Sequence, residues 1–315
     1  VCTPAFMARQ SKNLHLFDFL EAIVLDEADM LLDGGYLNQV DEILVARKRI
    51  LRMRQQHEPV VDRHTQVILS AATIPTYGLK SVDKLVAKRF PNAARVENDL
   101  LHRTQPQLEH HWVEVESMGD EREGGATVGS RAFAARCLQL EELLRPATPS
   151  DPIPRTMVFA NTATTAAAAC EYLRKAGLPA AEYHKEVLVG IREENLGLFS
   201  SGQVPILVCT DMAARGIDIQ GVQHVVQFEF ASNVVQHLHR LGRTGRAGRQ
   251  GTATHFVDPS SDLAERIRRG METESPLDDS FSRKRGFKKK LKKIARGPRP
   301  RKSPPSGSSS SDDAR

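Results

Sequence analysis

Four consecutive apolar residues, Ala22-Ile23-Val24-Leu25, end abruptly in Asp26 and Glu27, with Asp29 two places on. A short apolar run with no polar alternation predicts a strand buried on both faces of a parallel sheet. Such a strand delivers its last side chains into the crevice at the carboxyl end of the sheet, where ligands bind in open α/β folds. Carboxylates are costly to desolvate there without a cation or a chemical role. One reading has Asp26 hold a Mg²⁺–nucleotide complex while Glu27 positions or deprotonates an attacking water. The other is a helix N-terminus whose acids suit the macrodipole. These eight residues alone leave both open.

The same pattern recurs. Val67-Ile68-Leu69, Met157-Val158-Phe159-Ala160, Ile206-Leu207-Val208-Cys209, Val222–Phe228 and Thr252–Val257 read as strands, and Leu108–Glu116 as one anchored by Trp112. Between them, residues 78–90, Phe133–Leu144, Thr165–Ala176 and Asn233–Leu241 read as helices, and Leu31 to Leu44 recur at helical spacing around a break at Gly34-Gly35. Strands alternating with helices predict parallel α/β sheets. The alternation falls into two units that divide near residue 104. Thr3-Pro4 is expected in a loop, residues 47–64 in a polar surface excursion, and Val96 in a short last strand of the first unit.

Composition narrows the class. The chain has 315 residues, 40% hydrophobic and 26% charged. No apolar run approaches the ~20 residues that span a bilayer, so no membrane partner is expected. Cys2, Cys137, Cys170 and Cys209 are scattered without ligand spacing, which argues against zinc or disulfides and for a reducing compartment; Cys209 reads as core. The net charge of +5 hides an asymmetry: residues 281–302 hold 12 of the 44 Lys/Arg and no acid, leaving 32 basic against 39 acidic side chains elsewhere. A mildly acidic body with a basic arm suits a polyanionic partner, with a localisation signal as the other use of such a run. Past residue 272 apolar residues are too few to fold, and residues 273–315 are expected to form a disordered tail.

Two strand ends carry dense chemistry. Val208-Cys209 discharges into Thr210-Asp211, then Arg215-Gly216-Ile217-Asp218. Gly216 would allow close approach of a phosphate backbone and Asp218 would accept from a ribose hydroxyl. The second is His239-Arg240-Leu241-Gly242-Arg243-Thr244-Gly245-Arg246-Ala247-Gly248-Arg249. Arg243 and Arg246, three apart, are expected to share a helix face and to suit charge on a transferring phosphoryl group; a generic basic surface is the alternative.

V-L-D-E-A-D, C-T-D-M-A-A-R-G-I-D and H-R-L-G-R-T-G-R-A-G-R, in this order, resemble the DEAD-box RNA helicases of helicase superfamily 2 over about residues 1–258. The resemblance implies an α/β fold of two RecA-like parallel-sheet domains, the first incomplete: residues 1–103, then 104–272, then the tail. It implies ATP and Mg²⁺ as cofactors and RNA as partner, held through its backbone with little base reading. Asp26 would be the Mg²⁺-linked acid, through water, and Glu27 the catalytic base. Arg243 and Arg246 would be arginine fingers, and Asp218 would join these four around the nucleotide. Asp29, Ala71, Thr73 and His239 would couple hydrolysis to unwinding. Thr3, Pro4, Asn161, Arg192, Thr210 and Gly216 would face RNA, Asn161 within the strand motif Val158-Phe159-Ala160-Asn161-Thr162.

Departures matter equally. The family's Ser-Ala-Thr reads Ala71-Ala72-Thr73 here, with Ser70 one place early. Its His-Gly-Asp…Gln-x-x-Arg appears as His184-Lys185-Glu186, Val189 and Arg192, without the Gln. No G-x-x-x-x-G-K-[ST] occurs in the sequence. The expectation from that gap is a chain whose phosphate-cradling segment lies upstream and which is inactive alone; the alternative is a non-hydrolysing RNA-binding scaffold. A superfamily 2 DNA helicase is disfavoured by the Asp-Glu-Ala-Asp spelling. Ser70–Pro75 and Leu101-His102-Arg103 loosely resemble plant plastid members acting in organelle ribosome assembly. The resemblance thus allows pre-ribosomal partners and an intracellular location, with plastid, nucleus and cytoplasm as options.

Overall fold

The computed structural model describes residues 1–17, 20–33, 35–57, 65–74, 81–98, 103–115, 128–148, 150–213, 219–273 and 277. Val1–Phe281 forms one unit and Ser282–Arg315 another, the latter outside the described residues together with the basic run.

The chain enters through α1 (Pro4–Arg9), not a loop. Thr3 caps it, its hydroxyl accepting from the Phe6 N–H, and Pro4 takes the first helical turn, where a missing N–H costs nothing. β1 (Ala22–Leu25) leads through a two-residue turn into α2 (Ala28–Asp33) and the long α3 (Leu37–His57). β2 (Gln66–Leu69) pairs with β1 in parallel, Leu25 opposite Leu69, and α4 (Val82–Arg89) follows. Leu25, Leu31, Leu32, Val40 and Val82 form the core on one face of this two-stranded sheet. Residues 47–57 continue α3 instead of leaving the surface as a loop. Their polar composition hid a helix tied down by buried Arg47, which donates to the Phe17 carbonyl at 2.7 Å.

β1 departs from expectation in its burial. Only Leu25 is buried; Val24 is 61% exposed and Ile68 of β2 41%. Ile23 and Leu25 face the helices, whereas Ala22 and Val24 face a side that no described residue covers. Residues 93–98, Val96 among them, form no strand.

The second sheet is the larger. Its elements are β3 (Leu108–Glu114), α5 (Arg131–Leu144), β4 (Thr156–Phe159), α6 (Ala163–Lys175), β5 (Ala180–Tyr183), α7 (Val189–Ser201), β6 (Ile206–Cys209), β7 (His224–Gln227), α8 (Val234–Leu241), β8 (Gly251–Val257) and α9 (Asp262–Glu272). Six parallel strands lie in the order β3-β8-β7-β4-β6-β5. Every residue of β4, β6 and β7 is buried, β6 being apolar throughout while Thr156, His224 and Gln227 are buried polar members of β4 and β7. Val158, Val208 and Val226 pack against Phe133, Leu140 and Cys170 of α5 and α6. Met157, Leu207 and Val225 pack with Phe199 of α7 on the opposite face. Burial drives the Cys209 thiol above its usual range, as a core cysteine requires.

The join between α8 and β8 is tight. A Cβ on Gly251 would strike the Thr244 hydroxyl and come within 2.8 Å of the Gly245 nitrogen, and that hydroxyl is held by the Val222 carbonyl at 2.8 Å. Gly251→Ala is therefore expected to cost about 1–3 kcal/mol, read as a lowered urea midpoint with an unchanged slope.

Candidate active site

The turn after β1 builds the first wall. Ala28 N–H donates to the Ser70 carbonyl and Ser70 N–H to the Leu25 carbonyl, both at 2.9 Å, so the two strand ends are knitted together. The Glu27 N–H donates to Asp26 Oδ1 at 3.0 Å. Glu27 is the single non-glycine residue with positive φ, +49°, among the described residues. A β-carbon in this region is strained by about 1–2 kcal/mol, and such strain persists where the surroundings impose it. The turn thereby places Asp26 and Glu27 side by side at the sheet's carboxyl edge while α2 begins at once behind them.

α8 supplies the opposite wall. Asp26, Glu27, Asp29, Ser70, Ala71, Ala72, His239 and Arg243 line one cleft of about 330 Å³. Buried Asp29 ties the walls together. Its Oδ2 accepts from the Thr73 hydroxyl at 2.5 Å and lies 3.3 Å from His239 Nε2; its Oδ1 accepts from the Met30 N–H at 2.9 Å. Burial raises the Asp29 pKa, but the bonds from His239 and Thr73 outweigh it and hold the carboxyl below its usual range. Of the four residues read as coupling, Asp29, Thr73 and His239 thus meet directly, and Ala71 lines the same cleft. The hydroxyl of Ser70 sits one residue before the position Ala71 occupies, and Ser70 lines the cleft too.

The two candidate fingers do not share a helix face. α8 ends at Leu241, Arg243 lies in the following turn, and Arg246 opens a short 3-10 segment. Gly242 and Gly245 break the helix between them, which residue spacing alone did not anticipate. Arg243 lines the cleft; Arg246 donates back to the Gly242 carbonyl at 2.7 Å.

The RNA-facing candidates fall in separate places. Asn161 and Thr210 follow the ends of the paired strands β4 and β6. Arg192, on α7, reaches the Met212 sulfur at 3.4 Å. Thr3 and Pro4 open α1, which packs against α3 beside the smaller sheet. Gly216 and Asp218 lie outside the described residues. Asn161 is committed within the protein: its amide donates to the Phe230 carbonyl and its oxygen accepts from Arg240.

Arg240 is the residue that motif reading passed over. It is fully buried. It donates to both Asp211 oxygens at 2.6 and 3.2 Å, to Asn161 Oδ1 at 2.7 Å and to the Glu229 carbonyl at 2.7 Å, with Phe159 beneath it at 5.4 Å. One guanidinium therefore joins the residues that follow β4, β6 and β7 to α8. Its position three after His237 on the inward face of an amphipathic helix was the available signal.

Among the described residues no group of three His, Cys, Asp or Glu side chains is arranged to hold a metal alone, and no helix is long and apolar enough to cross a membrane. What the cleft offers is a pair of carboxylates facing an arginine, a donor set for a hydrated Mg²⁺ and the phosphates it accompanies.

Comparison with known proteins agrees. A helicase conserved C-terminal domain is recognised over residues 136–248. The chain is 37% identical over 334 residues to DEAD-box ATP-dependent RNA helicase 22 of Oryza sativa subsp. japonica, covering 87% of the chain and 56% of that protein. It is 39% identical over 238 residues to the Arabidopsis thaliana protein of the same name, covering 75% of the chain and 38% of that protein. It thus spans about half the length of the curated relatives it matches. In fold it is similar to S. cerevisiae Dbp5, solved bound to RNA and ADP BeF3, with a TM-score of 0.62 at 22% identity over 93% of the chain and 67% of that one. On these matches and on its motifs, the chain belongs to the DEAD-box RNA helicases of superfamily 2.

Proposed function

We propose that the protein is an ATP-dependent RNA helicase in which RNA stimulates ATP hydrolysis and hydrolysis drives local parting of RNA duplexes. The observation that supports this reading is the cleft itself: Asp26 and Glu27 follow a strand of the smaller sheet, whereas His239 and Arg243 come from α8 and the turn after it, which join β7 to β8 of the larger one. In this reading the chain divides functionally near residue 104, with residues 1–103 and 104–272 carrying the two walls.

The residues present fit a magnesium–nucleotide complex at its phosphate end. Bound Mg²⁺ supplies charge neutralisation on the phosphate oxygens. Asp26, exposed in its turn, would hold the hydrated ion. Glu27, half-buried beside it, would orient and deprotonate the attacking water. Arg243 would offset charge developing on the phosphate, with Arg246 and Asp218 closing around the nucleotide. The Asp29–Thr73–His239 contact would report the state of this cleft to α8, whose Arg240 holds Asn161 beside Thr210 at the RNA-facing strand ends. Contacts from Thr210 and Arg192 would go to phosphate and sugar, which positions RNA without reading its sequence.

The test is RNA-stimulated ATPase of the full-length protein. Glu27→Gln keeps size and hydrogen bonding and removes the base. It is expected to lower kcat by about 10²–10⁴-fold while ATP and RNA still bind. Full activity in that variant would remove Glu27 from the chemistry, and equal stimulation by DNA would remove RNA as the preferred partner.

A further inference from the structure

Beside the cleft, the larger sheet buries histidines that the proposed reaction does not use. His110, Trp112, Gln227 and His255 share one face of β3, β8 and β7, with Trp112 and Gln227 both in register with His255. His237 comes down on them from α8, its ring 5.4 Å from that of His255. Gln227 sits at the centre. Its carbonyl oxygen accepts from the Ala231 N–H at 3.0 Å and from Arg240 at 3.4 Å. Both of those donors are fixed, one in the backbone and one in a guanidinium that cannot deprotonate, so the amide cannot turn around. Its nitrogen therefore donates twice, to His237 Nδ1 at 2.9 Å and to His255 Nδ1 at 3.0 Å. Both histidines must then present a bare Nδ1 and carry their proton on Nε2. His255 Nε2–H donates in turn to His110 Nδ1 at 3.1 Å, which places the proton of His110 on Nε2 as well. The three bonds that end on ring nitrogens all run outward from Gln227, and none survives protonation of the nitrogen that accepts it.

We infer that Gln227, His237 and His255 form a one-way hydrogen-bond latch that seats α8, and with it His239 and Arg240, on the sheet only while the histidines are neutral. Gln227 and His237 are thus positioning residues for this helix, and its seat is acid-sensitive. The surroundings offer a proton no compensation. On β3, Glu109 and His111 lie on the opposite face and pair with each other at 3.4 Å. On β7 and β8, His224 meets the Thr254 hydroxyl on that same opposite face. On α8 the nearest charge is the Arg240 cation, and the acids beyond it, Asp211 and Glu229, are engaged by Arg240 and the Asn161 N–H. α9 brings Leu263, Ile267 and Met271 against Trp112 and Phe230, while its charged residues pair along the helix as Asp262–Arg266, Glu265–Arg269 and Arg268–Glu272. Burial and the neighbouring positive groups hold His110 at about 4 and His237 at about 3.

The test needs no turnover, so it stands or falls separately from ATP hydrolysis. Imidazole ¹⁵N shifts of the chain at pH 7.5 are expected to show a bare Nδ1 and a protonated Nε2 at His110, His237 and His255. An Nδ1–H form at His237 or His255 overturns the latch. The chain has one tryptophan, Trp112, with its ring 4.5 Å from that of His255. An imidazolium quenches indole emission at that range, so Trp112 fluorescence reads the protonation of His255. In the Gln227→Glu variant a carboxylate replaces the double donor and draws protonated histidines to itself. Its Trp112 quenching midpoint is expected at least one pH unit above that of the parent, with the α8 amide resonances moving at the same midpoint. An unchanged midpoint overturns the inference, and should the variant not fold, the ¹⁵N measurement on the parent decides alone.

Discussion

Arg240→Ala is expected to destabilise the larger sheet by about 3 kcal/mol or more, because it strands a buried acceptor set instead of deleting one contact. The guanidinium satisfies Asp211, Asn161 Oδ1 and the Glu229 carbonyl together, and each would be left without its donor. Asp211 keeps 23% of its side-chain exposure and recovers some hydration, which holds the loss below that of a fully enclosed pair. Arg240→Lys is the informative control. Lysine keeps the charge but concentrates its donors at one point, whereas these acceptors follow three different strands. It is expected to restore less than half of the lost stability. Urea midpoints of the three proteins make the comparison, and a lysine variant as stable as the parent would falsify the bridging role.

The sequence carried much of this fold in its apolar runs. β6 is apolar throughout and β4 and β7 carry apolar residues at their centres, as burial on both faces requires, so their positions were legible to within a residue or two. β5 was not, because Ala-Ala-Glu-Tyr at a sheet edge lacks a run long enough to stand out. The outer half of α3 was missed for the opposite reason: a surface helix needs few apolar residues when one buried arginine holds it. β1 misled, since its four apolar residues promised cover on two faces and the described residues cover one.

The candidate site divides in the same way. Asp26, Glu27 and Arg243 were legible because their chemistry is concentrated at strand and helix ends, and they line one cleft. The shared helix face of Arg243 and Arg246 was a misreading that the intervening glycines explain. Arg240 and Gln227 are a different matter. Their importance comes from partners on several different elements, from His237 10 positions from Gln227 to Asn161 79 positions from Arg240, meeting at one sheet, and local spacing holds no record of that. A generic basic surface was only the alternative reading of this motif, and the motif's most connected arginine is interior.

Acid sensitivity is the second large effect. His110 and His224 are held at about 4 and His237 at about 3, burial being the first cause in each, and His255 lies well below its usual value for the same reason. Unfolded, each would titrate near 6.5. Folded pKa values below the unfolded ones mean that, below about pH 6.5, the unfolded chain binds protons that the folded chain refuses. Stability from this source is therefore intact above that pH and declines as pH falls toward the folded values. At pH 5 the loss is about 2 kcal/mol per histidine, on the order of 6 kcal/mol for His110, His224 and His237 together. That is comparable with the whole stability of an ordinary domain, about 5–15 kcal/mol, so unfolding of the larger sheet is expected near pH 5. The lowered pKa of Asp29 acts in the same direction only at lower pH, since its stabilisation is lost as pH falls through the carboxylate range. Urea titrations between pH 7.5 and 5 separate the two: the histidine contribution falls within that window, the Asp29 contribution below it. A His224→Asn, His110→Asn double variant should flatten the slope between pH 6.5 and 5 by about half. A parent protein whose urea midpoint stays constant across that window would show that the folded histidines accept protons as readily as the unfolded ones.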